Sequence, residues 1–291
     1  MSEQIIYLNG EYVPKSQATV SVFDHGLLYG DGVFEGIRAY NGRIFKCDEH
    51  VDRLFDAARV IMLEMPLTKD EFKEVLVQTC KKNNIVDGYI RLVVTRGTGD
   101  LGISPTKCPK PTVFCIAGTI NIYPPEMYET GMPIITAAQR RNKATIVDPQ
   151  IKSLNYLNNI LAKIEANQAG VPEALMLNHD GIVAECTGDN VFVIKKGIIY
   201  TPPIHVGILD GITRNTVIEL AREMGYTVIE REFTLFNVYT ADELFLTGTA
   251  AEVIAVTSVD ERIINDGTVG PITQKMLVAF QKYARENGLQ I

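Results

Sequence analysis

Pairs of turn-forming residues divide the sequence into short apolar runs, and this spacing predicts antiparallel β-hairpins. Asn9-Gly10 and Asn41-Gly42 each separate two runs rich in β-branched or aromatic residues, which is the strongest local signal for a hairpin. His179-Asp180-Gly181 and Lys195-Lys196-Gly197 separate similar runs in the second half of the chain. Amphipathic helices interrupt these groups of strands, so we predict an α+β fold.

Strands are predicted wherever such a run is bounded by turn residues. In the first half of the chain the predicted strands are Ile5–Asn9, Tyr12–Pro14, Thr19–Ser21, Gly32–Tyr40, Arg43–Lys46, Tyr89–Thr95 and Thr112–Gly118. In the second half they are Pro133–Ala138, Ala174–Asn178, Ile182–Glu185, Val191–Ile194, Ile198–Thr201, Thr227–Glu232, Glu243–Thr247 and Val253–Val259.

Amphipathic helices are predicted where apolar residues recur every three or four positions. The start of one is well defined, because Thr68 is a good N-cap and Glu71 stands at the capping-box position. In chain order, the predicted helices are one capped by Asp48, Thr68–Lys82, one capped by Ser153, Thr213–Gly225 and Ile272–Glu286.

The length of 291 residues suggests one large domain or two ordinary ones. The segment Tyr123-Pro124-Pro125 contains consecutive prolines, which make a stiff connector. We therefore predict a first domain over residues 1–120, a linker over 121–129 and a second domain over 130–291.

The composition excludes several classes of protein. The net charge of −7 argues against sequence-independent nucleic-acid binding, which needs clustered Lys and Arg. No apolar run reaches the ~18 residues of a membrane span, and the first residues lack the basic-then-apolar order of a signal peptide. The five cysteines are scattered and odd in number, which is typical of reduced thiols in a cytoplasmic protein. The four histidines show no metal-ligand spacing, so no metal site is predicted.

Lys152 lies between apolar neighbours, Ile151 and Leu154, at the expected start of a helix. Contact with apolar surface disfavours the ammonium form of a lysine, and a neutral amine is what covalent attachment to a carbonyl requires. A solvated surface lysine is the commoner interpretation of any single lysine. The local sequence does not decide between the two, so the choice rests on other segments of the chain.

Four further features have the composition of ligand-binding sites. In the Gly-rich segment 23–32, glycines would let the backbone approach a ligand. Glu185 ends a predicted strand beside turn residues, although a glutamate there is usually solvated. The segment 207–213 opens a helix whose N–H groups suit a phosphate, unless Asp210 simply caps it. The segment 247–252 is either a tight connection or a second cradle for phosphate and carboxylate.

Taken together, the segments resemble the branched-chain amino acid aminotransferases, which are pyridoxal-phosphate enzymes of fold type IV. The matches occur in the family's order over nearly the whole chain, so the set is far more specific than any single motif. They are residues 29–38, 50–54, 89–91, 152–156, Glu185 with Gly188 and Asn190, 209–213 and 247–252. The resemblance implies a small α+β sandwich domain followed by a larger α+β domain shaped as a pseudo-barrel.

For the cofactor, the resemblance implies that Lys152 binds pyridoxal 5'-phosphate covalently and moves a proton between the substrate's α-carbon and the cofactor. Glu185 would pair with the pyridine nitrogen and keep it protonated, so that the ring accepts electrons. Tyr156 would donate to the phenolic oxygen. The phosphate and the remaining parts of the cofactor would be held by Arg53, Gly188, Leu209, Ile212, Thr213 and Thr249.

For the substrates, the resemblance implies an L-branched-chain amino acid as donor, 2-oxoglutarate as acceptor and L-glutamate as a product. The backbone amides of Thr249 and Ala250, with Tyr89, would bind the α-carboxylate, and Arg91 with Tyr29 would meet the distal carboxylate. Tyr29 would also reach into the site of a partner subunit, so a homodimer is the smallest assembly implied. The substrate-binding residues implied are Tyr29, Phe34, Gly36, Tyr89, Arg91, Thr249 and Ala250.

Two other enzymes of the same fold are alternatives. D-amino acid transaminases carry an Arg-x-His carboxylate trap after the strand that holds Tyr89, whereas the loop 97–102 has neither residue, although Arg96 is close. Aminodeoxychorismate lyases share the lysine and the glutamate, but residues 34–38 and 89–91 look like the aminotransferase. A third alternative is a non-catalytic protein that binds phosphate ligands, which would need neither the lysine nor the glutamate.

Overall fold

The computed structural model describes residues 3–119 and 123–291, which form two compact units. The first unit contains the described residues up to 119, together with 151–155 and 284–291. The second contains residues 123–150 and 156–283. Each unit is built around its own β-sheet, and helices accompany both sheets, so the predicted two-part α+β fold is confirmed.

The strands of the described residues are two to nine residues long. Three predicted strands, Gly32–Tyr40, Thr112–Gly118 and Ile198–Thr201, have the observed bounds. In chain order the strands are β1 (Ile5–Leu8), β2 (Glu11–Pro14), β3 (Gly32–Tyr40), β4 (Arg43–Ile44), β5 (Gly88–Thr95), β6 (Thr112–Gly118), β7 (Met132–Thr136), β8 (Glu173–Leu177), β9 (Val183–Cys186), β10 (Asn190–Lys195), β11 (Ile198–Thr201), β12 (Val228–Glu230), β13 (Glu243–Gly248), β14 (Glu252–Val259), β15 (Arg262–Ile263) and β16 (Leu289–Gln290).

The longer helices occur where amphipathic spacing predicts them, and the capping box of Thr68 and Glu71 is present. In chain order the helices are α1 (His25–Tyr29), α2 (Cys47–Val60), α3 (Lys69–Lys82), α4 (Glu126–Thr130), α5 (Ala144–Val147), α6 (Leu157–Gln168), α7 (Ile212–Glu223), α8 (Leu235–Tyr239) and α9 (Pro271–Glu286). Single 3-10 turns occur at Lys15–Gln17, Pro105–Lys107 and Ile204–Val206.

The first unit contains a seven-stranded sheet of order β16-β4-β3-β5-β6-β1-β2, in which the neighbouring strands pair antiparallel. Helices α2 and α3 pack on this sheet, and their side chains Val51 and Phe72 are buried in one core with Ile37 of β3. Successive side chains of a strand point to opposite faces. Phe34 and Gly36 therefore lie on the face of β3 that points away from Ile37 and the helices.

The second unit contains a nine-stranded sheet. Its main path has the order β12-β11-β10-β13-β14-β7-β8-β9, and β15 pairs with β14. The pairs β7–β8, β7–β14 and β11–β12 are parallel, and the others are antiparallel. Three residues join the end strand β9 to β10, and the N–H of Cys186 donates to the carbonyl of Asp189 across this turn. The short connection requires the sheet to curl, as the predicted pseudo-barrel does.

Apolar side chains fill the inside of this curled sheet. The cluster includes Met132, Leu175, Val191 and Leu246 from four different strands, all fully or almost fully buried. On the neighbouring strands β10 and β13, Phe192 lies opposite Phe245 and their rings stack with centroids 4.7 Å apart. The packed core fixes the ends of β9, β10 and β13, from which several predicted site residues extend.

Two local predictions in the first unit are wrong. Residues 19–21 form no strand, because β2 ends at Pro14 and their exposed side chains have no sheet face to cover. Asp48 is not the N-cap of α2: the helix begins at Cys47, after Lys46 in a left-handed conformation. Asp48 and Glu49 instead lie in the first turn of α2, where negative charge favours the positive end of the helix dipole.

Ser153 is not the N-cap of the helix that follows it, because α6 begins only at Leu157. Ser153 instead forms an isolated antiparallel bridge with Val33 of β3, in the first unit. The Ser153 hydroxyl accepts a hydrogen bond from the N–H of Asn155, which forms a local turn. The large apolar residues of α6 that were expected to be buried, such as Leu157 and Leu161, are exposed, and the helix buries Ala162 and Ala166.

The segment predicted as a linker over 121–129 contains regular structure. Residues 121–122 lie outside the described residues, as do residues 1–2, on which the absence of a signal peptide partly rested. Tyr123 is buried in the core of the second unit, and α4 begins at Glu126. Residues 151–155 and 284–291 group with the first unit because each pairs with one of its strands, β3 and β4 respectively.

The cysteines are all free, as their spacing predicts. Cys115 is fully buried in β6 and behaves as the small apolar residue that its neighbours suggest. No helix in ranges 3–119 and 123–291 combines the length and the apolar character needed to cross a bilayer. Within the same ranges, no group of three His, Cys, Asp or Glu side chains is arranged to hold a metal ion.

Candidate active site

Main-chain hydrogen bonds to β3 hold Lys152 in place in the first unit. The N–H of Phe34 donates to the Lys152 carbonyl at 3.0 Å, and the N–H of Leu154 donates to the carbonyl of Gly32 at 2.9 Å. The Lys152 side chain is half-buried, and its Nζ lies 4.7 Å from the centroid of the Phe34 ring. An aromatic face attracts a cation and offers a neutral amine an apolar neighbour. The lysine therefore projects over the face of β3 that points away from the helices.

Gly36, Tyr89 and Arg91 are brought together on that face by the pairing of β3 with β5. Gly36 lies opposite Arg91, and the Arg91 guanidinium carbon is 4.5 Å from the centroid of the Phe34 ring. A Cβ at position 36 would lie 2.1 Å from the hydroxyl oxygen of Tyr89, so glycine is required for Tyr89 to occupy its place. Four of the predicted substrate-binding residues thus form one group with Lys152.

Tyr29 belongs to a different local group. It is the last residue of α1, and its ring is about four-tenths exposed. Its hydroxyl donates to the carbonyl of Leu101, and its ring packs edge-on against His25 with centroids 5.0 Å apart. The sequence predicts an irregular loop here, whereas the structure has a five-residue helix capped by the Asp24 side chain. The ring of Tyr29 therefore lies at the surface of the first unit.

Arg53, predicted to bind phosphate, pairs with Glu35, a residue that the sequence analysis did not single out. Arg53 Nε donates to Glu35 Oε1 at 2.7 Å, and Nη2 donates to Oε2 at 2.8 Å. His50 Nδ1 lies 2.7 Å from the same Oε2. Burial raises the pKa of Glu35, but the charge of Arg53 and the hydrogen bonds from His50 and Arg53 outweigh it and lower the pKa to about 2. The Arg53 guanidinium is therefore held by a carboxylate that stays ionised at neutral pH.

His50 stays neutral in this cluster. Burial lowers its pKa, and this effect exceeds the opposing influence of the Glu35 charge. The charge of Lys152 is among the smaller causes that lower the same pKa, which places the Lys152 amine within electrostatic range of the cluster. The sequence signal for Glu35 was its place in a buried strand, since a carboxylate there requires a cation.

The Arg96 guanidinium is surrounded by hydrogen-bond acceptors of the first unit. Its Nε and Nη2 donate to the two carboxylate oxygens of Asp31 at 2.9 Å each. Its Nη1 and Nη2 also donate at 2.7 Å to the carbonyls of Met62 and Ile61. The side chain is buried, so its donors serve the fold of the first unit.

In the second unit, Glu185 is buried near the end of β9 and accepts hydrogen bonds from Arg141, Asn190 and Leu209. Arg141 Nε donates to Oε1 at 2.7 Å. The Nδ2 of Asn190 and the N–H of Leu209 donate to Oε2 at 3.2 and 3.0 Å. Two predicted residues, Glu185 and Leu209, are thus in direct contact. Arg141 was missed by the sequence analysis, although a buried carboxylate implies a cationic partner.

The start of α7 carries the predicted phosphate-binding residues Ile212 and Thr213. The N-cap is Gly211, which has no side chain to cap the helix, and Asp210 accepts a hydrogen bond from Asn215 Nδ2 at 2.8 Å. A Cβ on Gly211 would lie 1.9 Å from Asn190 Oδ1, so glycine permits the close approach of this turn to the Glu185 group. The alternative that Asp210 merely caps α7 is wrong. An uncapped helix N-terminus suits an anion.

Thr249 and Ala250 lie in the turn that joins β13 to β14. The pairing of Asn190 with Thr247 places this turn beside the β9–β10 connection. A Cβ on Gly248 would lie 1.9 Å from Asp189 Oδ1 and 3.4 Å from the carbonyl oxygen of Gly188. The predicted residues Gly188, Thr249 and Ala250 are therefore close to one another. Gly248 permits this close approach of the two turns.

Tyr156 is the residue before α6, and it is half-buried. Two and three residues further on, Asn158 and Asn159 accept hydrogen bonds from Arg141 Nη1 at 3.3 and 3.1 Å. The first turn of α6 is thereby tied to the partner of Glu185. Lys152 belongs to the first unit and Tyr156 to the second, so the chain passes from one unit to the other within these five residues.

Two further acids are buried close to Glu185. Asp189 accepts a hydrogen bond from the Tyr123 hydroxyl at 3.1 Å, while Glu173 accepts from the hydroxyl and the N–H of Thr187. Burial, followed by the charge of Glu173, raises the pKa of Asp189 to about 7. Burial also raises the pKa of Tyr123 far above its usual range, so its phenol remains a donor. This region therefore holds an excess of acidic groups over cations.

Comparison with known proteins agrees with these observations. A family model described as Amino-transferase class IV matches residues 32–259. A putative branched-chain-amino-acid aminotransferase of Methanocaldococcus jannaschii is 53 % identical and covers 98 % of each chain. A D-alanine aminotransferase of Staphylococcus epidermidis is 36 % identical, over 98 % of this chain and 99 % of that protein. The crystal structure of the T.th. branched-chain amino acid aminotransferase with pyridoxamine 5'-phosphate has a TM-score of 0.93 at 37 % identity, and covers 97 % of this chain and 94 % of its own.

Proposed function

Because this chain belongs to the class IV aminotransferase family, we propose that it is a branched-chain-amino-acid aminotransferase that uses pyridoxal 5'-phosphate. It moves the amino group of L-leucine, L-isoleucine or L-valine to 2-oxoglutarate, and gives branched 2-oxo acids and L-glutamate. The relative from Methanocaldococcus jannaschii and the T.th. crystal structure support this choice of donor, since both carry the same activity in their names.

The observation that carries the proposal is the place of Lys152 on the face of β3 and β5 that points away from the helices. Its Nζ lies beside the Phe34 ring, on the face that also holds Gly36, Tyr89 and Arg91. A lysine fixed by its main chain to a strand, with an amine over an aromatic ring, is suited to covalent attachment of an aldehyde. With pyridoxal phosphate and substrate bound, the Nζ would move a proton between the substrate's α-carbon and the cofactor.

The donors of the second unit support pyridoxal phosphate as the cofactor. When bound, the cofactor supplies an aldehyde that carries the amino group and a ring that takes up electrons. Glu185 is a buried carboxylate that suits a protonated ring nitrogen, and the uncapped start of α7 suits a phosphate. We assign these roles to the predicted residues Lys152, Tyr156 and Glu185 for the ring and its aldehyde, and Arg53, Gly188, Leu209, Ile212, Thr213 and Thr249 for the phosphate and its surroundings.

The substrate contacts follow the same proposal. Tyr89 and the backbone amides of Thr249 and Ala250 bind the α-carboxylate. Phe34 and Gly36 line the apolar pocket for the side chain, with Tyr29. Arg91 and Tyr29 meet the distal carboxylate of 2-oxoglutarate or L-glutamate. The list of substrate-binding residues is therefore Tyr29, Phe34, Gly36, Tyr89, Arg91, Thr249 and Ala250.

The D-alanine aminotransferase from Staphylococcus epidermidis makes D-amino acids the second candidate donor. Arg96 is the arginine closest to the loop in which such enzymes carry their carboxylate trap. Its guanidinium already donates to Asp31 and to two backbone carbonyls, at 2.7 to 2.9 Å. A substrate carboxylate would have to displace these partners, so we favour L-amino acids.

We propose that the working unit is a homodimer or a larger homo-oligomer in the cytoplasm. The apolar side chains of Phe23, Leu27, Leu28 and Leu101, around Tyr29, are 37 to 69 % exposed in the chain alone. A patch of this kind is typical of a surface that a partner covers. The five free thiols support a reducing compartment. A mass of one chain in solution at micromolar concentration would contradict the dimer.

The proposed function is tested by absorption spectroscopy on the protein loaded with pyridoxal phosphate. The visible band should disappear when L-leucine is added and return with 2-oxoglutarate. A panel of L-leucine, L-isoleucine, L-valine and D-alanine separates the two candidate transaminases. Formation of pyruvate from aminodeoxychorismate without an acceptor would indicate the lyase instead. A protein that never takes up pyridoxal phosphate would overturn the proposal.

Lys152→Ala provides the mechanistic test. The hydrogen bonds of Lys152 to β3 are made by its main chain, so the variant should fold and should lose turnover by several orders of magnitude. Lys81→Ala, in which an exposed lysine of α3 is removed, is the matched control. Turnover retained by Lys152→Ala would count against the assignment.

A further inference from the structure

The guanidinium of Arg141 is buried against Glu185 in the second unit. Arg141 is 6 % exposed and Glu185 5 %, and the two are joined by the 2.7 Å hydrogen bond between Nε and Oε1. Removing two charges from water is costly, and the pair is stable only when its geometry is good and further hydrogen bonds offset the desolvation. The surroundings of Arg141 should therefore show what holds it there.

Hydrogen bonds fix both the main chain and the side chain of Arg141. Its N–H donates to the carbonyl of Leu177 at 2.9 Å, at the end of β8, which pairs with the strand that carries Glu185. Its Nη1 donates to Asn159 Oδ1 at 3.1 Å, and Asn159 Nδ2 in turn donates to the carbonyl of Thr187 at 2.8 Å. The network thus returns to the chain two residues after Glu185, and it fixes the plane of the guanidinium.

The two carboxylate oxygens of Glu185 accept hydrogen bonds from donors of different charge. Oε1 accepts from the cation, whereas Oε2 accepts from two neutral donors, Asn190 Nδ2 and the N–H of Leu209. A cation at this distance favours the ionised carboxylate in a site that otherwise contains the buried acids Asp189 and Glu173. Glu185 is thus held as an oriented anion by the protein itself.

We propose that Arg141 is a positioning residue for the reaction: it fixes Glu185 as an anion in the orientation that the cofactor's ring nitrogen meets, and its charge limits how tightly that nitrogen holds its proton. The inference rests on the proposed function, in which Glu185 pairs with the ring nitrogen. A carboxylate that is already paired with a guanidinium attracts a second cation less strongly than an unpaired carboxylate does. Arg141 therefore sets both the geometry and the strength of the Glu185 contact.

The test uses the loaded enzyme and three variants. Arg141→Gln removes the charge and keeps a hydrogen-bonding side chain, while Arg141→Lys keeps the charge but loses the fork. Arg96→Gln is the matched control, since it removes another buried arginine that is paired with an acid. Two cofactors are compared by equilibrium binding: pyridoxal phosphate and its 1-deaza analogue, in which a C–H group replaces the ring nitrogen.

Arg141→Gln should weaken pyridoxal phosphate binding on the order of tenfold, as loss of outer partners does at other sites, because the lost orientation of Glu185 outweighs the stronger attraction of an unpaired carboxylate. Binding of the 1-deaza analogue should change far less, because it has no ring nitrogen for Glu185 to meet. The pH midpoint of the visible band should shift in Arg141→Gln, because losing the charge changes how tightly the ring nitrogen holds its proton, and Arg141→Lys should restore it. Arg96→Gln should lower the melting temperature without changing the ratio of the two affinities or the midpoint.

The outcomes separate the inference from the proposed function. If wild-type protein binds neither cofactor, the proposed function fails. If it binds both, and Arg141→Gln weakens both equally with an unshifted midpoint, Arg141 is only structural and the inference fails. If Arg141→Gln does not fold, Arg141→Lys decides: the affinity ratio should fall two- to fivefold while the midpoint stays, and an unchanged ratio overturns the inference.

Discussion

Gly36 of β3 lies against the hydroxyl group of Tyr89 of β5: a Cβ at position 36 would lie 2.1 Å from the oxygen and 2.8 Å from the ring carbon that bears it. Gly36→Ala must therefore displace the Tyr89 side chain, and overpacking of this kind costs about 1–3 kcal/mol. Since Tyr89 is proposed to bind the α-carboxylate, the KM for L-leucine should rise. Steady-state kinetics and thermal unfolding measure the two effects.

The double variant Gly36→Ala with Tyr89→Phe serves as the control for this prediction. Removing the Tyr89 hydroxyl relieves the 2.1 Å contact with the new Cβ, so part of the lost stability should return. The KM should not return, because the hydroxyl that we assign to the substrate is then missing. Full recovery of the KM in the double variant would show that Tyr89 does not bind the carboxylate.

The contact between Arg53 and Glu35 gives the second prediction. Arg53→Lys keeps the positive charge but loses the two hydrogen bonds to the Glu35 carboxylate, at 2.7 and 2.8 Å. A lysine binds phosphate as a point charge without a fixed fork. The ratio of affinities for pyridoxal phosphate and pyridoxal, which lacks the phosphate, should fall on the order of tenfold, or about 1.4 kcal/mol.

Arg59→Lys, at an exposed position of the same helix, is the control for Arg53 and should leave the ratio unchanged. Equal loss of affinity for pyridoxal phosphate and pyridoxal would show that Arg53 supports the fold of the first unit and does not reach the phosphate. The comparison within one variant removes any general loss of stability from the result.

The sequence predicts local features of this site better than long-range ones. The capping box at Thr68 and the strand that carries Phe34 are set by neighbouring residues, and both are observed. Ser153 has the right chemistry for a cap, but residues 151–155 pair with β3, more than a hundred residues earlier in the chain. A cap preference of about 1 kcal/mol does not decide the conformation against such pairing.

The partners of charged residues were the main omission. Glu185 and Arg53 were predicted as site residues, yet Arg141 and Glu35, which orient them, were not. The sequence shows that a buried charge needs a partner but not which residue supplies it, because the partner comes from another element. Arg141 stands forty-four positions from Glu185 and is fixed beside it by the end of β8.

The third prediction concerns Arg96 and the choice between L- and D-amino acids. Arg96→Leu leaves Asp31 without its partner and removes the donors to Ile61 and Met62, so the free energy of unfolding should fall by about 3 kcal/mol. The ratio of kcat/KM for L-leucine and D-alanine should not change. If the variant is as stable as the wild type and its activity toward L-leucine or D-alanine alone changes, Arg96 is a substrate-binding residue.

The last prediction concerns Asp189 and pH. Burial and the charge of Glu173 raise its pKa to about 7, from an ordinary value of 3.8. Between these values the folded protein binds one more proton than the unfolded chain, so stability is greatest at low pH and declines as pH rises through 7. His50 acts in the opposite sense: burial lowers its pKa, so its contribution to stability grows as pH rises through its ordinary value of 6.5. The effect of Asp189 is therefore the difference between wild type and a variant that lacks this carboxyl group, between pH 6.5 and 8.

Unfolding of the apoprotein by urea at several pH values measures this effect. Relative to Asp189→Asn, the free energy of unfolding of the wild type should fall by about 1 kcal/mol between pH 6.5 and 8. Asp189→Asn keeps an oxygen that accepts from Tyr123 but cannot titrate, so this part of the pH dependence should be absent from its curve. Asp260→Asn is the matched control: hydrogen bonds from Tyr239 and Thr136 outweigh burial and lower the pKa of Asp260, so it stays ionised throughout and its loss should leave the slope intact. An equal slope in wild type and Asp189→Asn would show that Asp189 is already ionised at pH 6.5.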